Sequence, residues 1–128
     1  MTFQTRQIKG KGRGKLLGFP TINMEIPSDM DLAEGIYAVW VIFKDKRFVG
    51  ALHYGPVPTF QESKKSLEVF LLDVTETEVK SLDTFSIQIS PIARVRDVRT
   101  FSSKEGLIEQ MRRDIDVIRR SAFPVSEE

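Results

Sequence analysis

Residues 9–15 interleave Gly10, Gly12 and Gly14 with Lys9, Lys11, Arg13 and Lys15. Glycine admits close backbone approach to a ligand, and successive N–H groups in such a stretch form a concavity for anions. Gly18, Pro20, Thr21 and Asn23 follow. If extended, Thr21 and Asn23 project from one face of a strand, because the side-chain period there is two. A phosphate loop followed by two oxygen donors is what a metal-nucleotide site requires. The standard phosphate motifs do not account for it. Lys11 is followed by Gly12 and Lys15 by Leu16, so there is no Gly-Lys-Ser/Thr, and the Gly-x-Gly-x-x-Gly pattern begun at Gly12 ends on Leu17. A mobile or solvated turn remains the alternative for so glycine-rich and basic a stretch.

Two further groups carry chemistry. Glu68 interrupts the apolar run Leu67–Leu72. Such a residue either faces solvent from a half-buried strand or stands in a site, and the pattern alone favours solvent. Arg96, Arg99 and Phe101 precede a helical stretch. Two cations and a ring could stack on a flat heterocycle and pair with phosphate, although charged loops before helices are commonly just solvated. Trp40, Tyr37 and Phe43 read as core, and His53 as a strand residue without catalytic duty.

The elements that must position these groups are mostly strands. Ile36–Phe43 is rich in Val, Ile and aromatic residues, Lys44-Asp45-Lys46 is a polar turn, and Arg47–His53 continues as its partner. Leu67–Val74 and Phe85–Val95 are further strands, with a change of face expected near Pro91. Pro56–Ser66 is a loop. Ser102-x-x-Glu105 reads as a capping box, after which Leu107, Met111, Ile115 and Ile118 form one apolar stripe. Many strands and one terminal helix predict a small closed barrel, because closure removes exposed edges.

Composition sets the bounds. At 128 residues the chain is expected to be a single domain, 1–128. A net charge of +1 argues against a protein built to coat nucleic acid. Cysteine is absent and His53 is the single histidine, which excludes disulfides, thiolate metal sites and a His-x-Gly-His motif. No apolar run approaches the ~20 residues that span a bilayer. The expectation is a cytoplasmic, monomeric protein with no membrane and no nucleic-acid partner.

Several segments, in order, resemble the riboflavin kinase (flavokinase) family: Gly10-x-Gly12-Arg13-Gly14 with Leu17-Gly18-Phe19-Pro20-Thr21-x-Asn23, then Gly35-Ile36-Tyr37-Ala38-Val39, Gly55-Pro56-Val57-Pro58-Thr59-Phe60, Leu67–Asp73 and Arg96-x-x-Arg99-x-Phe101. The resemblance runs over residues 8–118. It implies a six-stranded Greek-key β-barrel with a long C-terminal helix, which phosphorylates riboflavin to FMN with ATP and Mg²⁺, the small molecules being its partners. It also implies roles: Gly10, Gly12, Gly14, Lys15, Thr21 and Asn23 on the nucleotide, Thr21 and Asn23 on the metal, Glu68 as general base, and Arg96, Arg99 and Phe101 on the flavin. The chain departs from the family pattern at Phe70, where a His or another polar residue is usual, and at Val98 in place of an acidic residue. It also lacks a Tyr-Gly turn after Asp73. A catalytically weak flavin- or nucleotide-binding module is the alternative. Neither the length nor the histidines of an FAD-forming adenylyltransferase are present. A barrel binding single-stranded nucleic acid ranks last, because residues 9–18 carry no stacking aromatics interleaved with the cations.

Overall fold

A computed structural model of the chain describes residues 1–9, 20–56 and 64–124. Six strands, β1 (Phe3–Thr5), β2 (Thr21–Met24), β3 (Gly35–Phe43), β4 (Lys46–Gly55), β5 (Ser66–Leu71) and β6 (Ile87–Arg96), are joined by a short helix α1 (Glu76–Lys80) and followed by α2 (Lys104–Ala122). They form one antiparallel sheet in the order β1-β6-β3-β4-β5-β2. Strands β3, β4 and β5 are successive neighbours and β6 returns beside β3, which is Greek-key connectivity. The two edges are brought together by the residues after β1. Gln7 bridges Met24, Ile8 N donates to Asn23 O at 2.8 Å, and Glu25 N donates to Arg6 O at 2.9 Å. Closure removes the edges that would otherwise pair with other chains.

The period of two along the strands sorts the side chains to two faces. Ile22, Met24, Val39, Val41, Leu52, Leu67, Val69, Leu71, Ile87 and Ile89 belong to the inner core. On the outer face Ala38, Val49, Ala51, Phe70 and Leu72 pack beneath Ile118 of α2, with Met111 and Ile115 beside them. The apolar stripe therefore does what its spacing predicts. β4 passes close to its neighbours at Gly50, where a Cβ would stand 2.8 Å from Val69 Cγ2. The irregularity expected near Pro91 is present. The β3–β6 register shifts where Ala38 pairs Ala93 and Val39 pairs Pro91.

Other boundaries differ from expectation. β5 ends at Leu71, before Asp73, whose φ of 60 is left-handed, and Thr75 then caps α1 with a capping box to Glu78. Phe85 lies outside β6 and is 88% exposed. The cap of α2 falls one residue later than the Ser102 pattern. Ser103 is extended, its Oγ accepts from Gly106 N at 3.0 Å, and the first helical bond runs from Leu107 N to Ser103 O. Arg119 of α2 reaches across to Asp73 with two bonds, of 2.5 and 2.8 Å. Those bonds hold the Asp73 carboxyl below its ordinary range. Because the folded value is depressed, the pair's contribution is present at neutral pH and lost as acid protonates Asp73, and at 68% exposure it is small.

Candidate functional site

Strand pairing brings the proposed metal donor and the proposed base together. Asn23 of β2 lies opposite Glu68 of β5, and Glu68 lies opposite His53 of β4. Their chain neighbours Ile22, Met24, Leu67, Val69, Leu52 and Tyr54 all enter the inner core, so Asn23, Glu68 and His53 share the outer face. Thr21 is on that face too, one step along, opposite Phe70. The row stands next to the part of the sheet that α2 covers, with Phe70 (7% exposed) as its apolar flank. Glu68 itself is half-buried. A carboxylate in that position is neither a fully solvated surface group nor a sealed one.

β2 is a firm platform for the donors. It is bonded on one side to β5 and on the other to residues 6–8, where Arg6 Nε pairs with Glu25 at 2.7 Å and Thr5 Oγ1 donates to Glu25 O. Among the described residues no group of three or more His, Cys, Asp or Glu could hold a metal ion. Thr21 and Asn23 offer two neutral oxygens. That donor set fits a hard cation arriving with charged phosphates, since Mg²⁺ commonly keeps few protein ligands and completes its shell from phosphate and water. Gly10, Gly12, Gly14 and Lys15 lie outside the described residues.

The segment read as flavin-contacting is tied to α2. Arg96 Nε lies 3.0 Å from both Asp114 oxygens and Nη2 donates to Oδ2 at 2.8 Å, while Nη1 donates to Asp97 O at 3.0 Å. Asp114 is 3% exposed and also accepts from Gln110 Nε2 at 3.0 Å. Gln110 Oε1 accepts in turn from Arg99 Nη1 at 3.2 Å. The Phe101 ring lies 5.7 Å from the Arg96 guanidinium and 5.2 Å from that of Arg99. All three predicted residues thus form one cluster at the start of α2. Asp114 was not singled out from sequence, although its place in the stripe, three after Met111 and four before Ile118, gives a signal: a charge at a core position needs a partner.

Glu68 pairs His53, His53 pairs Ile36 and Ile36 pairs Arg96, so three strand spacings of curved barrel wall lie between β5 and β6. A second ionic cluster closes the same end of the sheet: Lys65 pairs with Glu34 at 3.0 Å, and Arg94 donates to Glu34 O at 2.7 Å and to Asp97 at 2.5 Å.

The sequence model of the riboflavin kinase family (Flavokinase) matches residues 1–122. The chain belongs to the riboflavin kinase family. Curated relatives agree. The bifunctional riboflavin kinase/FMN adenylyltransferase of Buchnera aphidicola subsp. Schizaphis graminum is 34% identical over 118 residues, 90% of this chain and 36% of that protein. Its counterpart in Escherichia coli K12 is 31% identical over 112 residues, 85% of this chain and 34% of that one. The RNA-binding riboflavin kinase RibR of Bacillus subtilis is 31% identical over 112 residues, 87% of this chain and 46% of RibR. The chain thus spans between a third and a half of these relatives. A crystal structure of a macrolide-efflux protein from Streptococcus pneumoniae superposes with a TM-score of 0.77 over 92% of this chain and 38% of that one. At 24% identity it supports the riboflavin kinase-like barrel alone. No helix among the described residues is long and apolar enough to cross a membrane.

Proposed function

We propose that this chain transfers the γ-phosphoryl group of ATP to the ribityl 5′-hydroxyl of riboflavin, giving FMN and ADP. The observation that carries the reading is the pairing of Asn23 with Glu68 on the outer face; Arg99 and Phe101 are held after β6 by α2 and by each other. Riboflavin is a flat ring system on a five-carbon polyol, so its reacting hydroxyl and its ring need different partners several ångströms apart.

In the reaction the O5′–H proton passes to a Glu68 oxygen as the O5′–phosphorus bond forms. The bond from phosphorus to the β,γ-bridging oxygen breaks, and the leaving pair departs on ADP. Little else is needed beyond position and charge neutralisation. A Mg²⁺ held by Thr21 and Asn23 would supply the latter. The glycine-rich stretch with Lys15 would take the phosphates, while Arg99 and Phe101, held with Arg96 by α2, would orient the flavin. ATP dependence fits a cytoplasmic setting.

Incubation with riboflavin and Mg-ATP followed by separation of flavins tests the reading, and FMN is the expected product. Flavin binding without turnover would instead favour a binding module of the same fold, and the absence of both turnover and flavin binding would overturn the assignment.

Thr21 gives a narrower test. Thr21→Val keeps the shape and deletes the oxygen, so nucleotide affinity becomes less dependent on Mg²⁺ and turnover falls steeply. An unchanged Mg²⁺ titration would assign Thr21 to a structural role at the start of β2.

A further inference from the structure

We propose that His53 is a positioning residue that sets the orientation of the Glu68 carboxylate. This rests on the kinase reading above, which gives Glu68 its work. His53 and Glu68 are directly opposed across the β4–β5 ladder. Side chains so placed have Cβ atoms about 4.5–5.5 Å apart and share a face.

The imidazole is itself fixed. Its Nε2 lies 3.1 Å from Pro56 O, and because a carbonyl only accepts, Nε2 carries the hydrogen of that bond. Nδ1 lies 3.5 Å from Ser66 Oγ, at the outer limit of a hydrogen bond. Ser66 opens β5 opposite Gly55, and Pro56 directly follows β4, so the ring is held where the ladder that carries it and the base comes to its end.

Glu68 has three side-chain torsions and needs one arrangement for proton transfer. Flanked by Asn23 on β2 and a fixed ring on β4, it has fewer rotamers to lose when substrate binds. A general base must come within hydrogen-bond reach of its proton, and a misplacement of about 1 Å costs on the order of 10²-fold. A purely structural His53 would staple the end of the ladder and leave the chemistry alone. The two roles therefore separate in kinetics.

His53→Phe keeps a ring and deletes both nitrogens. The expected result is a kcat lower by about 10- to 100-fold with KM for riboflavin and ATP little changed. His53→Gln restores an N–H near the position of Nε2 and should recover most of kcat. His53→Asn, too short for Pro56, should not, and it serves if the Phe variant folds poorly. The ligand-free protein gives a second readout. The Glu68 carboxyl ¹³C resonance, assigned by its disappearance in Glu68→Gln, should move in His53→Phe and return towards its position in His53→Gln. A His53→Phe enzyme with wild-type kcat, a loss confined to KM, or an unmoved Glu68 resonance would each overturn the proposal. Absence of FMN from the wild-type chain would sink the kinase reading instead, while the resonance would still decide whether His53 orients Glu68.

Discussion

Glu68→Gln is expected to lower kcat by about 10²–10⁴-fold while leaving riboflavin and nucleotide affinity nearly unchanged. The substitution keeps the length and shape of a half-buried side chain on β5, so the ladder to Asn23 and His53 should persist. What disappears is the capacity to take up the hydroxyl proton as the phosphorus–oxygen bond forms. A base that acts only in the transition state affects kcat and kcat/KM together and does not affect binding. Steady-state kinetics, with flavin affinity followed by fluorescence, measure both quantities. Near-wild-type turnover in this variant would remove Glu68 from the mechanism.

Asp114→Ala is expected to cost about 3–5 kcal/mol of folding stability, a large fraction of the ~5–15 kcal/mol that holds a typical domain. The carboxylate is 3% exposed and takes three contacts from the Arg96 guanidinium and one from Gln110. Removing it strands Arg96, whose side chain is only 15% exposed, as an unpaired charge. The companion double variant Arg96→Met/Asp114→Leu fills the space without charge and should regain most of the loss, because a buried ion pair replaced whole is often neutral. Urea denaturation of the wild type and both variants measures the difference. A single variant within about 1 kcal/mol of wild type would show that the pair is not what ties β6 to α2.

The strands with long β-branched runs were legible, since Gly35–Phe43 and Lys46–Gly55 come within a few residues of their sequence-based bounds. β1, at three residues, is too short to carry a period. The helix α1 opens on Thr75-x-x-Glu78, the same capping pattern as Ser102-x-x-Glu105, but at five residues with none buried it has no apolar stripe to mark it. Asn23 and Glu68 could each be marked from sequence through the family resemblance. Their opposition, and the place of His53 beside them, could not, because register is fixed by tertiary pairing and a slip of one residue would send the same side chains to the other face. The charged stretch 94–101 reads as a loop able to bury little on its own. Its arginines are nonetheless held by Asp97, Asp114 and Gln110, two of which lie on a helix far along the chain.

The bond from Ile8 N to Asn23 O joins two points separated by the whole glycine-rich stretch. Ile8 and Asn23 therefore meet at one seam of the barrel wall, although residues 9–22 lie between them in the chain. The seam is thus closed by residues 6–8 and 23–25 themselves, and what lies between them in the chain is an insertion. Lengthening such an insertion is thermodynamically mild, about 0.6 kcal/mol for each doubling of a flexible loop. Under the kinase reading, an exchange confined to residues 10–19 would therefore test what sets donor preference, with the seam residues 6–8 and 23–25 kept as fixed borders and the core left as it stands.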